Sequence, residues 1–278
     1  MLRMGAYQSS FRYDAKRHNE VSIKKKICTG GRSFFQLDYL YMKRNNGNNS
    51  VYLSAPVNAL VQGFYEQNTT VAEIKEHGDF GLGTFNNLDG EMVLLDGIVY
   101  QVKSDGKAAP VGDKEETPFA CVTFFSADTT EEIDGERLKD SLEELLNNLI
   151  PSSNMLYAIR IEGKFEYIKT RSVPRQDNYR PLVEVSREQP TFEYRNIQGT
   201  LGGFFTPQFM ASLNVPGYHL HFLSEDRTRG GHLLGCRYKQ VRIGLQHIPK
   251  LEVGLPLTID YLTADLEIDT RKDLEEAE

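Results

Sequence analysis

Cysteine is sparse in this chain: its 278 residues include three, Cys28, Cys121 and Cys236, which lie far apart and show no paired spacing. That excludes a disulfide framework and makes a reducing cytoplasm the simplest setting. Long hydrophobic runs are missing as well. No stretch reaches the roughly 20 apolar residues that cross a bilayer, so no membrane role is expected. The start is basic, with Arg12, Lys16, Arg17 and then Lys24, Lys25 and Lys26, but Ile27 to Arg32 supplies no hydrophobic segment. A secretory signal is therefore not expected. Positive charge is in deficit: 32 Lys and Arg against 39 Asp and Glu leave a formal net charge of −7. This balance favours solubility and argues against a broad nucleic-acid surface. Histidine is scarce too, six in all.

Three of those six lie close together, in Gly217-Tyr218-His219-Leu220-His221-Phe222-Leu223 and then Gly230-Gly231-His232. Tyr218 to Leu223 is apolar and aromatic and reads as a strand. Alternate side chains on a strand share a face, so His219 and His221 point the same way, about 7 Å apart along the backbone. Ser224 to Gly231 is polar and ends in two glycines, the composition of a hairpin loop. A returning strand would bring His232 beside the other two. Three imidazoles converging from adjacent strands make a metal site with room for water or substrate, the arrangement of a catalytic zinc. The competing reading is three unrelated histidines in core and loop. Cys236 shares strand parity with His232 and would then approach the metal, although such a residue is more often a small buried hydrophobe.

The remaining pattern is rich in short strands. Residues 1–50 show little periodicity, with one strand expected around Ser33–Tyr41, and read as an N-terminal extension. Helical signals begin at Ser54 as an N-cap with Pro56 in the first turn. Thr70-Val71-Ala72-Glu73 matches a capping box, and Gly78 sits where that helix would stop. The glycines of Gly81-Leu82-Gly83 lie in a strand and suit close backbone approach better than phosphate binding, since no helix follows. Asp96-Gly97 between Glu91–Leu95 and Ile98–Lys103 is a strong hairpin signal. Lys103–Pro118 reads as a polar loop and Phe119–Phe125 as a strand. Leu138, Leu142, Leu145 and Leu149 predict one long helix over 131–149. Met155–Ile161 and Lys164–Thr170 flank Glu162-Gly163 as a further hairpin. Phe192–Ile197, Gly199–Phe205, Tyr238–Leu245, Leu251–Val253 and Leu257–Asp265 complete the strands, with a short helix from Thr206-Pro207 to Leu213. The fold class is α+β: two hairpin-rich subdomains of mixed β-sheet with a few helices, over 51–170 and 171–278, hinting at a duplicated architecture. The end of the chain is an acidic tail.

A three-histidine metal serves a substrate that gains from Lewis acidity. Carboxylates and arginines near it would complete the chemistry. Glu91, Glu225, Asp226, Arg171 and Arg175 all qualify by residue type, and composition does not rank them. Glu91 stands out because it starts an apolar strand directly after a turn. Its alternative is a solvent-facing glutamate, as for Arg171 it is a surface arginine.

Gly81 to Val93, with Gly-Leu-Gly-Thr-Phe-Asn-Asn-Leu-Asp-Gly-Glu-Met-Val, and Val215 to His232, with both histidine clusters, closely resemble the α-acetolactate decarboxylase family. Thr170-Arg171-Ser172-Val173-Pro174-Arg175-Gln176 resembles the segment between them. The likeness runs from about Ser50 to the C-terminus and does not include the extension. It implies a two-domain, commonly dimeric, cytoplasmic zinc enzyme of acetoin and butanediol formation, acting on a small 2-hydroxy-3-oxo acid. It implies His219, His221 and His232 as the Zn2+ ligands. Glu91 and Arg171 would be the acid/base and anion-binding residues, Thr84 part of the pocket wall, and Glu278 (or Glu275 or Glu276) a tail glutamate reaching the metal region. The implied reaction is (S)-2-acetolactate to (R)-acetoin and CO2. The alternatives are another three-histidine metal enzyme, a dioxygenase or hydrolase, and a non-catalytic metal-binding protein. The short interval from His221 to His232 speaks against the former, and the presence of Glu91 and Arg171 against the latter.

Overall fold

Strand-forming runs dominate the computed structural model, which describes residues 49–134, 141–177, 180–267 and 272–274. β1 (Ser50–Leu53) leads through α1 (Val57–Val61) and β2 (Thr69–Thr70) into α2 (Val71–His77). At the start of α2 the Thr70 hydroxyl accepts from the Glu73 amide while the Glu73 carboxylate accepts from the Thr70 amide, the expected reciprocal cap. β3 (Phe80–Thr84), β4 (Glu91–Leu95) and β5 (Ile98–Val102) follow. Asp96 and Gly97, both at positive φ (52° and 76°), turn β4 into β5 as the sequence predicts. Next come β6 (Ala108–Pro110), β7 (Glu116–Thr117), β8 (Ala120–Thr123), β9 (Thr129–Asp134) and α3 (Leu142–Leu149). The second half contains β10 (Leu156–Arg171), α4 (Leu182–Ser186), β11 (Thr191–Thr206), β12 (Gly217–Ser224), β13 (Gly230–Ile248), β14 (Lys250–Val253) and α5 (Ile259–Thr263). Among the described residues no helix is long and apolar enough to cross a membrane.

These strands form two principal sheets. The first has seven strands in the order β14-β1-β8-β3-β4-β5-β6, antiparallel except for the β1–β14 pair. The second has the order β10-β11-β12-β13-β9, and β10 also pairs with β13, so four of its strands close on themselves. Closure leaves those four strands fewer free edges. Strand alternation sorts the apolar side chains into layers. Phe80, Leu82, Val93, Leu95, Cys121, Phe204 and Leu223 meet between the two sheets. Met92, Leu94, Ala120 and Val122 point the other way, onto Val71 and Ile74 of α2. On the far side of the second sheet, Ile159, Ile161, Leu220, Phe222 and Ile243 pack with Leu145 and Leu146 of α3. The α+β class with mixed sheet is as expected.

Several local expectations are corrected. The long helix over 131–149 is instead the strand β9 and the shorter helix α3. Residues 129–134 pair with Gln240–Leu245 of β13, and Ser141 begins α3 with its own capping box. Glu162-Gly163 is no turn but the middle of the continuous β10. A Cβ at Gly163 would collide with the Gln240 carbonyl, so the glycine serves close strand approach. The 192–197 and 199–205 segments are likewise one strand. Ser54 does not cap α1; its hydroxyl accepts from the Ala120 amide, and Pro56 holds the cap position. Part of 103–118 forms β6 and β7 rather than loop. Within 257–265, Thr258 caps α5 where a strand was expected. The strand expected at Ser33–Tyr41 lies outside the described residues.

Candidate metal and acid–base site

Strand parity directs the chemistry-bearing side chains into the layer between the sheets. On β4, Glu91 shares its face with Val93 and Leu95; on β3, Thr84 shares its face with Phe80 and Leu82. On β12, His219 and His221 share theirs with Leu223, while Leu220 and Phe222 face the opposite core. His232 on β13 stands directly across from His221 and so lies on the same face. Gly202 of β11 is the other cross-strand neighbour of His221, and its missing side chain lets Phe80 and Leu95 of the first sheet come close there. All three histidines, Glu91 and Thr84 are buried.

The three imidazoles each offer a nitrogen, and these nitrogens lie within 4.8 Å of one another. His219 Nε2 and His221 Nε2 are 3.2 Å apart. Two zinc–nitrogen bonds of about 2.05 Å at a tetrahedral angle would set their nitrogens about 3.3 Å apart, so the pair has the separation of ligands sharing one ion. His221 Nδ1 lies 2.8 Å from the Met92 carbonyl oxygen. A carbonyl only accepts, so Nδ1 carries the hydrogen and Nε2 presents its lone pair. Burial, with the Arg171 charge as the second cause, holds the His219 pKa down at about 3. Burial also drives His221 well below its ordinary value, helped by His219 and Arg171. Both rings are therefore neutral near pH 7, the state a metal requires. This donor set fits a divalent ion such as zinc, although imidazoles also suit iron, copper and nickel.

Glu91 and Arg171 flank this group. Glu91 Oε2 lies 3.5 Å from His221 Nε2. Thr84 is opposite Glu91 in the β3–β4 pair, and its hydroxyl donates to the Gly90 carbonyl at 2.8 Å, fixing the turn into Glu91. Arg171 ends β10 directly across from His232 and is half-buried. The other sequence candidates are used elsewhere. Asp226 accepts from the Ser224 hydroxyl and the Thr228 amide within the hairpin turn. Glu225 is exposed, and exposed Arg175 lies 3.7 Å from Asp177. Cys236 does not approach the histidines. A register shift between Lys169 and Thr170 breaks the parity from His232, and Cys236 packs in the opposite core across from Ile168. Glu275, Glu276 and Glu278 lie outside the described residues; Leu274, just before them, is buried in the layer between the sheets.

Sequence reasoning missed the Met92 carbonyl and Gly202. The first is a backbone group on a distant strand and leaves no sequence signal. The second had one: the Gly202-Gly203 pair inside an otherwise apolar strand.

A buried set of three imidazoles between two sheets, with a carboxyl group and a guanidinium at its margin, makes a centre that could hold a metal ion. Residues 51–268 match the family model of alpha-acetolactate decarboxylase. The chain is 42% identical over 235 residues to the alpha-acetolactate decarboxylase of Methanosarcina mazei, spanning 84% of this chain and 82% of the relative. It is 39% identical to that of Bacillus subtilis, over 82% of this chain and 90% of the relative. The crystal structure of the B. subtilis strain 168 enzyme superposes with a TM-score of 0.78 at 38% identity, covering 82% of this chain and 99% of that one. The chain belongs to the alpha-acetolactate decarboxylase family and is a carboxy-lyase.

Proposed function

We propose that this chain converts (S)-2-acetolactate to (R)-acetoin and CO2 with zinc held by His219, His221 and His232. The observation carrying this reading is the pair of facing Nε2 atoms, 3.2 Å apart, with the His221 tautomer fixed by Met92. Acetolactate is a 2-hydroxy-3-oxo acid, so loss of CO2 sends an electron pair toward its own ketone and leaves an enediolate. No organic cofactor is needed as an electron sink. When bound, zinc supplies Lewis acidity toward the ketone and hydroxyl oxygens as negative charge develops.

The chain's own residues do the rest. Arg171 binds the substrate carboxylate by a charge-assisted contact and orients the bond to be broken. Glu91 delivers a proton to one face of the enediolate carbon, which sets the configuration of acetoin. Thr84 holds the Gly90 carbonyl, and through it the start of β4, so that Glu91 keeps its direction. The burial of this site excludes water while the enediolate persists. By the family resemblance, Glu278, with Glu275 and Glu276 as alternates, is the tail glutamate that takes part in the reaction. A cytoplasmic homodimer with no nucleic-acid partner completes the reading, in keeping with the negative charge and the family resemblance.

The test is Glu91→Gln, which keeps shape and removes the titratable proton. Zinc content should stay at the parental level while acetoin formation falls roughly 100-fold or more. Near-parental turnover in a zinc-loaded Glu91→Gln protein would remove Glu91 from the mechanism.

A further inference from the structure

Arg171 is bracketed by two hydroxyl residues, Thr170 and Ser172, both with no exposed surface. Each directs its hydroxyl at a backbone carbonyl on a different strand. Thr170 Oγ1 donates to the Gly230 carbonyl at 3.0 Å, two residues before His232 on β13. Ser172 Oγ donates to the Val102 carbonyl at 2.7 Å. Val102 is the residue of β5 directly opposite Glu91. One bond therefore ties the arginine to the strand of a histidine, and the other ties it across the sheets to the partner of the glutamate.

The surroundings tighten both ties. A Cβ at Gly231 would collide with the Arg171 carbonyl and lie 3.1 Å from Thr170 Cβ. A Cβ at Gly90, whose φ is +90°, would strike the Val102 carbonyl that Ser172 uses. The Ser172 amide donates to the Pro190 carbonyl at 3.3 Å, and the Gln176 amide donates to the Asn87 carbonyl at 2.7 Å. The segment leaving Arg171 is thus stitched to the loop that leads into Glu91.

We propose that Thr170 and Ser172 are positioning residues that clamp Arg171 between the strand of His232 and the strand opposite Glu91. Ser172 sets the separation between guanidinium and carboxyl group, and Thr170 holds the glycine entry to His232. The alternative is that each hydroxyl merely satisfies a buried carbonyl, as Thr123 does with the Ser50 carbonyl at 2.7 Å, away from the histidines. Thr123 is therefore the matched control. The clamp rests on the reading that Arg171 anchors substrate.

The experiment compares Ser172→Ala, Thr170→Val, Thr123→Val and Arg171→Ala in the full chain. KM and kcat come from acetoin formation, and zinc affinity from competition with a chromophoric chelator. Ser172→Ala should lose roughly fivefold or more in kcat/KM, mainly through KM, with parental zinc affinity. Thr170→Val should weaken zinc binding roughly tenfold, and Thr123→Val should change neither quantity. Parental KM in Ser172→Ala, or equal losses in Thr123→Val, would overturn the clamp. Parental zinc affinity in Thr170→Val would overturn it even if Ser172→Ala does not fold. If Arg171→Ala keeps the parental KM, the substrate-anchoring reading falls and the clamp with it; if only Ser172→Ala is parental, that reading stands.

Discussion

An imidazole becomes a dependable ligand when its other nitrogen is already engaged, and at His221 the Met92 carbonyl does this. The histidine spacing was legible in the sequence because strand periodicity is local: two residues apart means one face. The Met92 contact was not legible, because it joins residues 129 positions apart. Glu91 could be singled out from its place after a turn, but nothing local to it predicts that His221 would face it. Gly202 belongs to the same scale. A Cβ there would lie 3.0 Å and 3.1 Å from two Phe80 ring atoms and 3.3 Å from Leu95. Gly202→Ala should therefore cost roughly 1–3 kcal/mol, read as a lower denaturant midpoint, because the sheets must shift apart beside His221. An unchanged midpoint would mean the layer has slack at this point.

At the scale of elements, the sequence was most reliable where a signal stayed within one turn. The Thr70 capping box and the Asp96-Gly97 hairpin both form where they were read. It was least reliable where a distant strand decides. Leu142, Leu145 and Leu149 do belong to a helix, but Thr129–Asp134 is recruited by the edge of β13, more than a hundred residues away. Gly163 looked like a turn glycine and is instead the point where β10 meets the Gln240 carbonyl without a side chain between them. The Ser141 cap gives a direct check on α3. Its hydroxyl accepts from the Glu144 amide at 3.2 Å. Ser141→Ala should lower unfolding stability by about 1 kcal/mol and leave kcat and KM unchanged, since α3 packs on the face of the second sheet away from the histidines. A change in turnover without a change in stability would contradict that separation.

For the whole molecule, the candidate site lies in the layer between two sheets. Glu91 and Thr84 arrive from the first sheet, and the histidines with Arg171 from the second. Chain order conceals this arrangement: β9 comes from the first half yet joins the second sheet, and β14, near the end, lines the edge of the first. Motif resemblance could name the residues, whereas only long-range pairing brings them together. The layer that holds them also keeps His219 and His221 neutral through burial, so the packing that stabilises the fold also leaves these two imidazoles in the form that could bind a metal.

The most direct measurement is acetoin formation from acetolactate before chelation, after complete removal of metal and after zinc is restored, with metal content determined at each stage. The account predicts one zinc per chain, loss of activity with its removal and recovery on adding back one equivalent. Undiminished acetoin formation by fully metal-free protein would contradict it.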